Sequence, residues 1–141
     1  MKNFVMTVIA VAVTLAAYEW YKRIEVKKHI AAAYISEGLT LASGVKNHVA
    51  GYYQDKGKLP SSNADVGLPP AGQFVGASVA GLEITERGVI TIRYNDKSGV
   101  KEGILKLIPD VSKPHMGISW LCTTPSFKGI ETWAPQCKFQ P

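Results

Sequence analysis

From Phe4 to Tyr53 the chain contains no proline, and no glycine before Gly38. An unbroken stretch of that length reads as one continuous helix, a rod of roughly 75 Å at 1.5 Å per residue. Its first part, FVMTVIAVAVTLAA from Phe4 to Ala17, carries no charge. Tyr18, Trp20 and Tyr21 follow as an aromatic cluster, interleaved with and followed by Glu19, Lys22, Arg23, Glu25, Lys27 and Lys28. A chain of 141 residues predicts one domain with a core of ordinary size. Such a domain cannot bury this rod along its whole length, so half of it must find lipid or copies of itself.

The uncharged run is about 21 Å long, shorter than the ~30 Å hydrocarbon layer of a bilayer. The aromatic girdle and a snorkelling Lys2 bring it near spanning length. A cleaved signal peptide would need small residues at its cleavage site, and Ala16-Ala17-Tyr18 followed by charges fits poorly. A retained single transmembrane anchor is the better reading. Charge bias points the other way: Lys2 stands against Lys22, Arg23, Lys27 and Lys28, which would leave the rest of the chain in the cytoplasm.

Cys122 and Cys137 are the two cysteines, with no CxxC pair and no histidine at ligand spacing. An isolated pair in a small domain suggests a disulfide and an oxidising compartment, with a metal or redox site as the alternative. Closing that segment would stabilise the fold by roughly 3 kcal/mol on a chain-entropy account. The cysteines take precedence over the charge bias, since a secretion machine or a leader outside this sequence could set orientation.

Thr7 and Thr14 lie seven apart on one helical face, among Ala10, Ala12, Ala16 and Ala17. Small and hydroxyl-bearing side chains let apolar helices approach closely, although short side chains also simply fill a span. The candidate helix-packing residues are Phe4, Thr7, Val8, Val11, Thr14, Leu15 and Tyr18. Beyond the charges, Ile30, Ala33, Ile35, Leu39, Ala42, Val45, Val49 and Tyr52 or Tyr53 recur at steps of mostly three and four, predicting a buried stripe. Glu37, Thr40, Ser43, Lys46 and Asn47 occupy the other face. Gly38, Gly44 and Gly51 each cost about 0.5–1 kcal/mol relative to alanine, so packing must hold this half. Gly57 is the expected cap, with Pro60 beyond it.

Residues 60–73, PSSNADVGLPPAGQ, are turn formers. Strand chemistry follows at 81–85, at 89–94 with Ile90, Ile92 and Tyr94 on one face, at 104–108 and at 118–122. Four strands with short loops predict an antiparallel meander whose apolar face packs on the helix stripe, an α+β architecture. The expected division is a protruding apolar helix over 1–29 and a head over 30–141. The head comprises the second half of the helix, a loop over 54–73, the sheet over 74–122 and a cysteine-closed loop over 122–137. Residues 123–136 show no clear period; without the bridge they would be a floppy surface loop, and the bridge makes them a defined lobe, where binding specificity tends to sit.

The chain carries a formal net charge of +5, spread without a basic run, which permits contact with polyanions without requiring it. It has no phosphate-binding glycine loop, no HExxH, no GxSxG and no acidic metal loop. His29, His48 and His115 are far apart, and Asp96 and Asp110 have no close carboxylate partner in sequence. No catalytic residue, metal ligand or cofactor site is predicted, and an enzyme is not expected.

Ser36-Glu37-Gly38-Leu39-Thr40-Leu41-Ala42-Ser43-Gly44, continued by KNHVAGYYQDKGKLP from Lys46 to Pro60, resembles the helix of type IV pilins. Gly88-Val89-Ile90-Thr91-Ile92 is similar to a hairpin strand of that family. Ile118-Ser119-Trp120-Leu121-Cys122 with Pro135-Gln136-Cys137 is similar to its disulfide-closed C-terminal region. The likeness covers about residues 31–137 and is to the short-leader pilins of Gram-negative bacteria. It implies a structural subunit of an extracellular filament. The apolar helix would hold the subunit in the inner membrane, head in the periplasm, and then form the filament core. Cys122 and Cys137 carry over as the bridge. Partners implied are identical subunits, the inner-membrane assembly machinery, the membrane before assembly, and a host receptor or DNA. Family members have a glycine at the cleavage site, an acidic residue at the fifth mature position and a helix-kinking proline. Here the mature start aligns near Asn3, Thr7 stands at the acidic position, and Ile24 stands near the proline. Two alternatives remain, a minor pilin and a DNA-binding pilin of an uptake system.

Overall fold

The protein, seen in a computed structural model, is described over residues 1–141, the side chains of residues 2, 3 and 114 excepted. Helix α1 runs over Lys2–Lys56, about 82 Å at 1.5 Å per residue. It ends where the sequence supplies a residue able to turn left-handed: Gly57 has φ 67° and its N–H donates to the Tyr53 carbonyl at 2.9 Å. The snorkelling expected of Lys2 lies outside the described side chains.

The chain then builds a five-stranded sheet in the order β1-β2-β3-β4-β5. Its strands are β1 (Val79–Thr85), β2 (Val89–Tyr94), β3 (Ile104–Asp110), β4 (Ser119–Thr124) and β5 (Cys137–Phe139). The first four form the antiparallel meander the alternation predicts. Register places Leu82 opposite Ile92, Ile84 opposite Ile90, Ile90 opposite Leu107 and Leu107 opposite Cys122. These residues share one face because side chains alternate along a strand. With Tyr94 and Leu105 they meet Ile35, Ala42, Val45 and Val49 of the helix in a single core. The other face carries a polar row, Glu83, Thr91, Lys106, Thr123 and Lys138, in successive cross-strand register.

The sheet departs from the expected four strands. β5 pairs parallel to β4, Cys122 beside Cys137, Thr123 beside Lys138 and Thr124 beside Phe139. A three-residue strand has too little pattern to read locally, and a parallel pair needs a long crossover. That crossover is residues 125–136, the greater part of the lobe closed by the bridge, while Thr123 and Thr124 extend β4. Phe127, Ile130 and Ala134 are buried in the core. At the start of the stripe, Ile30 is 49% exposed and Ala33 is exposed, so the buried face begins at Ile35. The sheet simply does not reach the turns below it.

The loop after the helix covers the outer edge of β1. Buried Asn63 donates from Nδ2 to the carbonyls of Pro69 (2.8 Å) and Leu82 (3.1 Å), and its Oδ1 accepts from the Ile84 N–H at 2.6 Å. The Leu82 carbonyl and Ile84 N–H are edge groups of β1 that an adjoining strand would otherwise satisfy. One amide side chain therefore replaces part of a missing strand.

Candidate assembly surface

The helix leaves the sheet near residue 34, and from there to its N-terminus its apolar side chains face outward. Phe4 is 74% exposed and Leu15 59%. The most apolar window of the helix is 0% buried, and the helix is long and apolar enough to cross a membrane. Phe4, Thr7, Val8, Val11, Thr14, Leu15 and Tyr18 are separated by steps of three and one, so they form one stripe on this free half. All are exposed. The Thr14 hydroxyl donates to the Val11 carbonyl at 2.8 Å, so its proton serves its own helix. Above the stripe, the Lys22 ammonium lies 4.6 Å from the Tyr18 ring centroid, and the Tyr21 hydroxyl donates to Glu25 at 3.2 Å.

A helix that projects this far needs a rigid root. Glu37 supplies one, a feature that sequence reading placed only on a solvent face. Its carboxylate accepts from the backbone N–H groups of Ala77 (2.7 Å) and Ser78 (2.8 Å) and from the Ser78 hydroxyl. That hydroxyl also lies 2.7 Å from the Tyr34 carbonyl. The Ser78 hydroxyl bond first, and then the two N–H groups, hold the Glu37 carboxyl below the ordinary glutamate value. At the next residue after Tyr34, the buried Tyr94 hydroxyl donates to the Ile35 carbonyl at 2.8 Å. Burial, aided by the Glu37 charge, pushes this phenol above the usual tyrosine range. Gly38 makes room for it, since a Cβ there would lie 2.6 Å from Tyr94 Cζ. Gly38 is thus the close-approach point between helix and sheet. Gly44 and Gly51 have nothing within 4 Å of an added Cβ.

At the far edge, Cys122 and Cys137 form the expected disulfide between β4 and β5. The lobe it closes is held by more than sulfur. The Thr124 hydroxyl donates to the Ile104 carbonyl at 2.5 Å and accepts from the N–H groups of Ser126 (3.1 Å) and Phe127 (3.2 Å). Phe127 meets Tyr94 edge to face, centroids 5.4 Å apart. Glu131 accepts from the Phe139 N–H at 2.7 Å, which holds its carboxyl below the ordinary value. The Lys46 ammonium of α1 sits 5.4 Å from the Trp120 ring of β4, and burial lowers its pKa.

His29, His48, His115, Asp96 and Asp110 are all exposed. Among the described residues no three His, Cys, Asp or Glu side chains gather as metal ligands. The surface that stands out is therefore the projecting helix with its lobe-braced head.

Residues 31–141 match the family model for pilin, a bacterial filament protein. The chain belongs to the pilin family. Among similar proteins, the type IV major pilin protein PilE of Neisseria gonorrhoeae is 32% identical over 118 residues, covering 83% of this chain and 65% of the relative. A fimbrial protein of Neisseria meningitidis serogroup B is 30% identical over 118 residues, covering 83% of this chain and 64% of the relative. Fimbrial protein EcpC of Eikenella corrodens is 35% identical over 98 residues, covering 68% and 58%. This pilin thus spans a little under two thirds of the length of these relatives. The family match begins at residue 31, close to where the helix meets the sheet, so it spans the packed half of the pilin and leaves out the free half.

Proposed function

We propose that this pilin is a structural subunit of a type IV pilus-like extracellular filament that assembles through its free apolar helix. Residues 1–29 act first as a single-pass inner-membrane anchor and then as filament core, while residues 30–141 form the surface head. The observation that carries this reading is the exposed apolar half of α1, with Leu15 59% and Trp20 68% exposed on a rigid stem. Surface of that kind has no stable home in water. The names of the relatives, type IV major pilin and fimbrial protein, support the same reading. The stripe of Phe4, Thr7, Val8, Val11, Thr14, Leu15 and Tyr18 is the proposed helix-to-helix contact.

Identical subunits are the main partner. The inner-membrane assembly machinery moves the head, periplasmic before assembly, into the extracellular filament. Contacts with a host receptor or with DNA fall to the head. Electron microscopy of cell-surface fractions tests the proposal: filaments whose mass is this chain support it. A soluble monomer found without partners would remove it.

A further inference from the structure

Where α1 enters the head there is a notch of about 180 Å³ between the helix, the 98–100 turn and the cysteine-closed lobe. Lys28 and Lys128 line it from two different elements, with Trp133 as an aromatic wall, 36% exposed, and no acidic side chain in the lining. Gly99 lies against Ala31 at its base, an added Cβ being 3.5 Å away, so turn and helix are in contact there. The helix carries Glu19, Glu25, Glu37 and Asp55, the turn and its flanks Asp96 and Glu102, and the lobe Glu131, and none of these lines the notch. Glu25 is engaged by Tyr21 and Glu131 by the Phe139 N–H.

The height of this notch is fixed by the helix. A hydrocarbon layer of ~30 Å takes about 20 residues at 1.5 Å each, so a span starting at Phe4 ends near residue 23. Headgroups add about 5–7 Å per side, or roughly three to five residues, which reaches about residues 26–28. Helix side chains lean toward the N-terminus, so Lys28 leans toward the bilayer. Tryptophan favours the same depth, with an apolar ring and a polar N–H.

We infer that, before assembly, the Lys28–Lys128–Trp133 notch binds the phosphate of an anionic phospholipid headgroup. The inference rests on residues 1–29 being a membrane anchor. It also gives a role to Lys28, one of the basic residues whose placement beyond the apolar run opposes the usual charge bias. Once in place, the lipid would set the height of the head and hold the stem upright.

Full-length pilin in bicelles of phosphatidylcholine, titrated with phosphatidylglycerol, provides the test. NMR should show saturable shifts of the Trp133 indole and of the Ser98–Val100 amides, and the apparent affinity should fall at least about 10-fold in Lys28→Gln/Lys128→Gln, as two lost lysine–headgroup attractions imply. Inorganic phosphate at equal concentration should leave these signals unmoved; if it reproduces the shifts, the site takes free anions and the lipid inference fails. Shifts in phosphatidylcholine alone that grow with protein concentration would assign the notch to a neighbouring subunit and overturn the inference. Hydrogen exchange of Phe4–Ala17 is read in the same samples. Protection there without lipid-specific shifts sinks the notch but leaves the anchor standing, whereas full exchange in every bicelle sinks the anchor itself.

Discussion

One helix, two halves, and opposite fates: residues 4–30 expose nearly every apolar side chain, while residues 35–49 bury Ile35, Ala42, Val45 and Val49 to 2% or less. Backbone and helical hydrogen bonding run through both. What differs is the partner. The second half has a sheet to lie on, and its glycine at position 38 lets that sheet approach closely. The first half presents apolar groups around its circumference, and a single small sheet could cover only one side of it. A helix that is hydrophobic all round belongs in a membrane or inside a larger assembly. The stability of the head and the proposed assembly role therefore belong to different halves of one element.

Deleting residues 1–29 should give the largest effect. Filaments and membrane retention should vanish, while the head keeps a cooperative thermal transition by circular dichroism. Loss of that transition would show that the halves are not separable. Replacing Cys122 and Cys137 together by serine should cost the head roughly 3 kcal/mol, read as a lowered urea midpoint. Because Phe127, Ile130 and Ala134 also anchor the lobe, the head should still fold. A head that fails to fold would mean that the bridge alone maintains the lobe.

A smaller effect sharpens the comparison within the helix. Gly38→Ala drives a methyl group into Tyr94 and should destabilise by about 1–3 kcal/mol. Gly44→Ala meets nothing and should stabilise by about 0.5–1 kcal/mol. Chemical denaturation of the two variants side by side checks both signs. On the free half, Val11→Ser should leave the denaturation midpoint of the head within about 0.5 kcal/mol yet weaken assembly, measured by sedimentation.

The smallest effect is in pH. The Glu37 carboxyl has its folded pKa below its unfolded one, so its contribution is fully present above the ordinary glutamate value. It is lost as pH falls through the depressed folded value. Glu37→Gln should flatten the acid limb of the stability curve, and an unchanged limb would remove Glu37 from the root of the stem.

Much of this was legible from the residues themselves. The helix, its Gly57 cap, the alternation of Ile90, Ile92 and Tyr94 and the cysteine bridge all follow from patterns within short windows or from residue type. The stripe at its lower end was not, because Ile30 and Ala33 keep helical spacing whether or not a sheet lies opposite. The roles of Asn63, Glu37 and Gly38 were also hidden. Each depends on a partner 19 to 56 residues away in sequence, and nothing local distinguishes such a residue from an ordinary turn former, surface acid or helix weakness.

The amino-acid order by itself determined the long helix with its apolar first half, the strand-forming segments and the cysteine pair, because hydrogen-bond periodicity and side-chain chemistry act within a few residues. Only the tertiary structure decided where the helix stops being covered, that 123–136 enters the core and that β5 pairs parallel beside β4. Those outcomes come from distant segments competing to exclude water from the same small core, and a linear pattern carries no record of which of them meet.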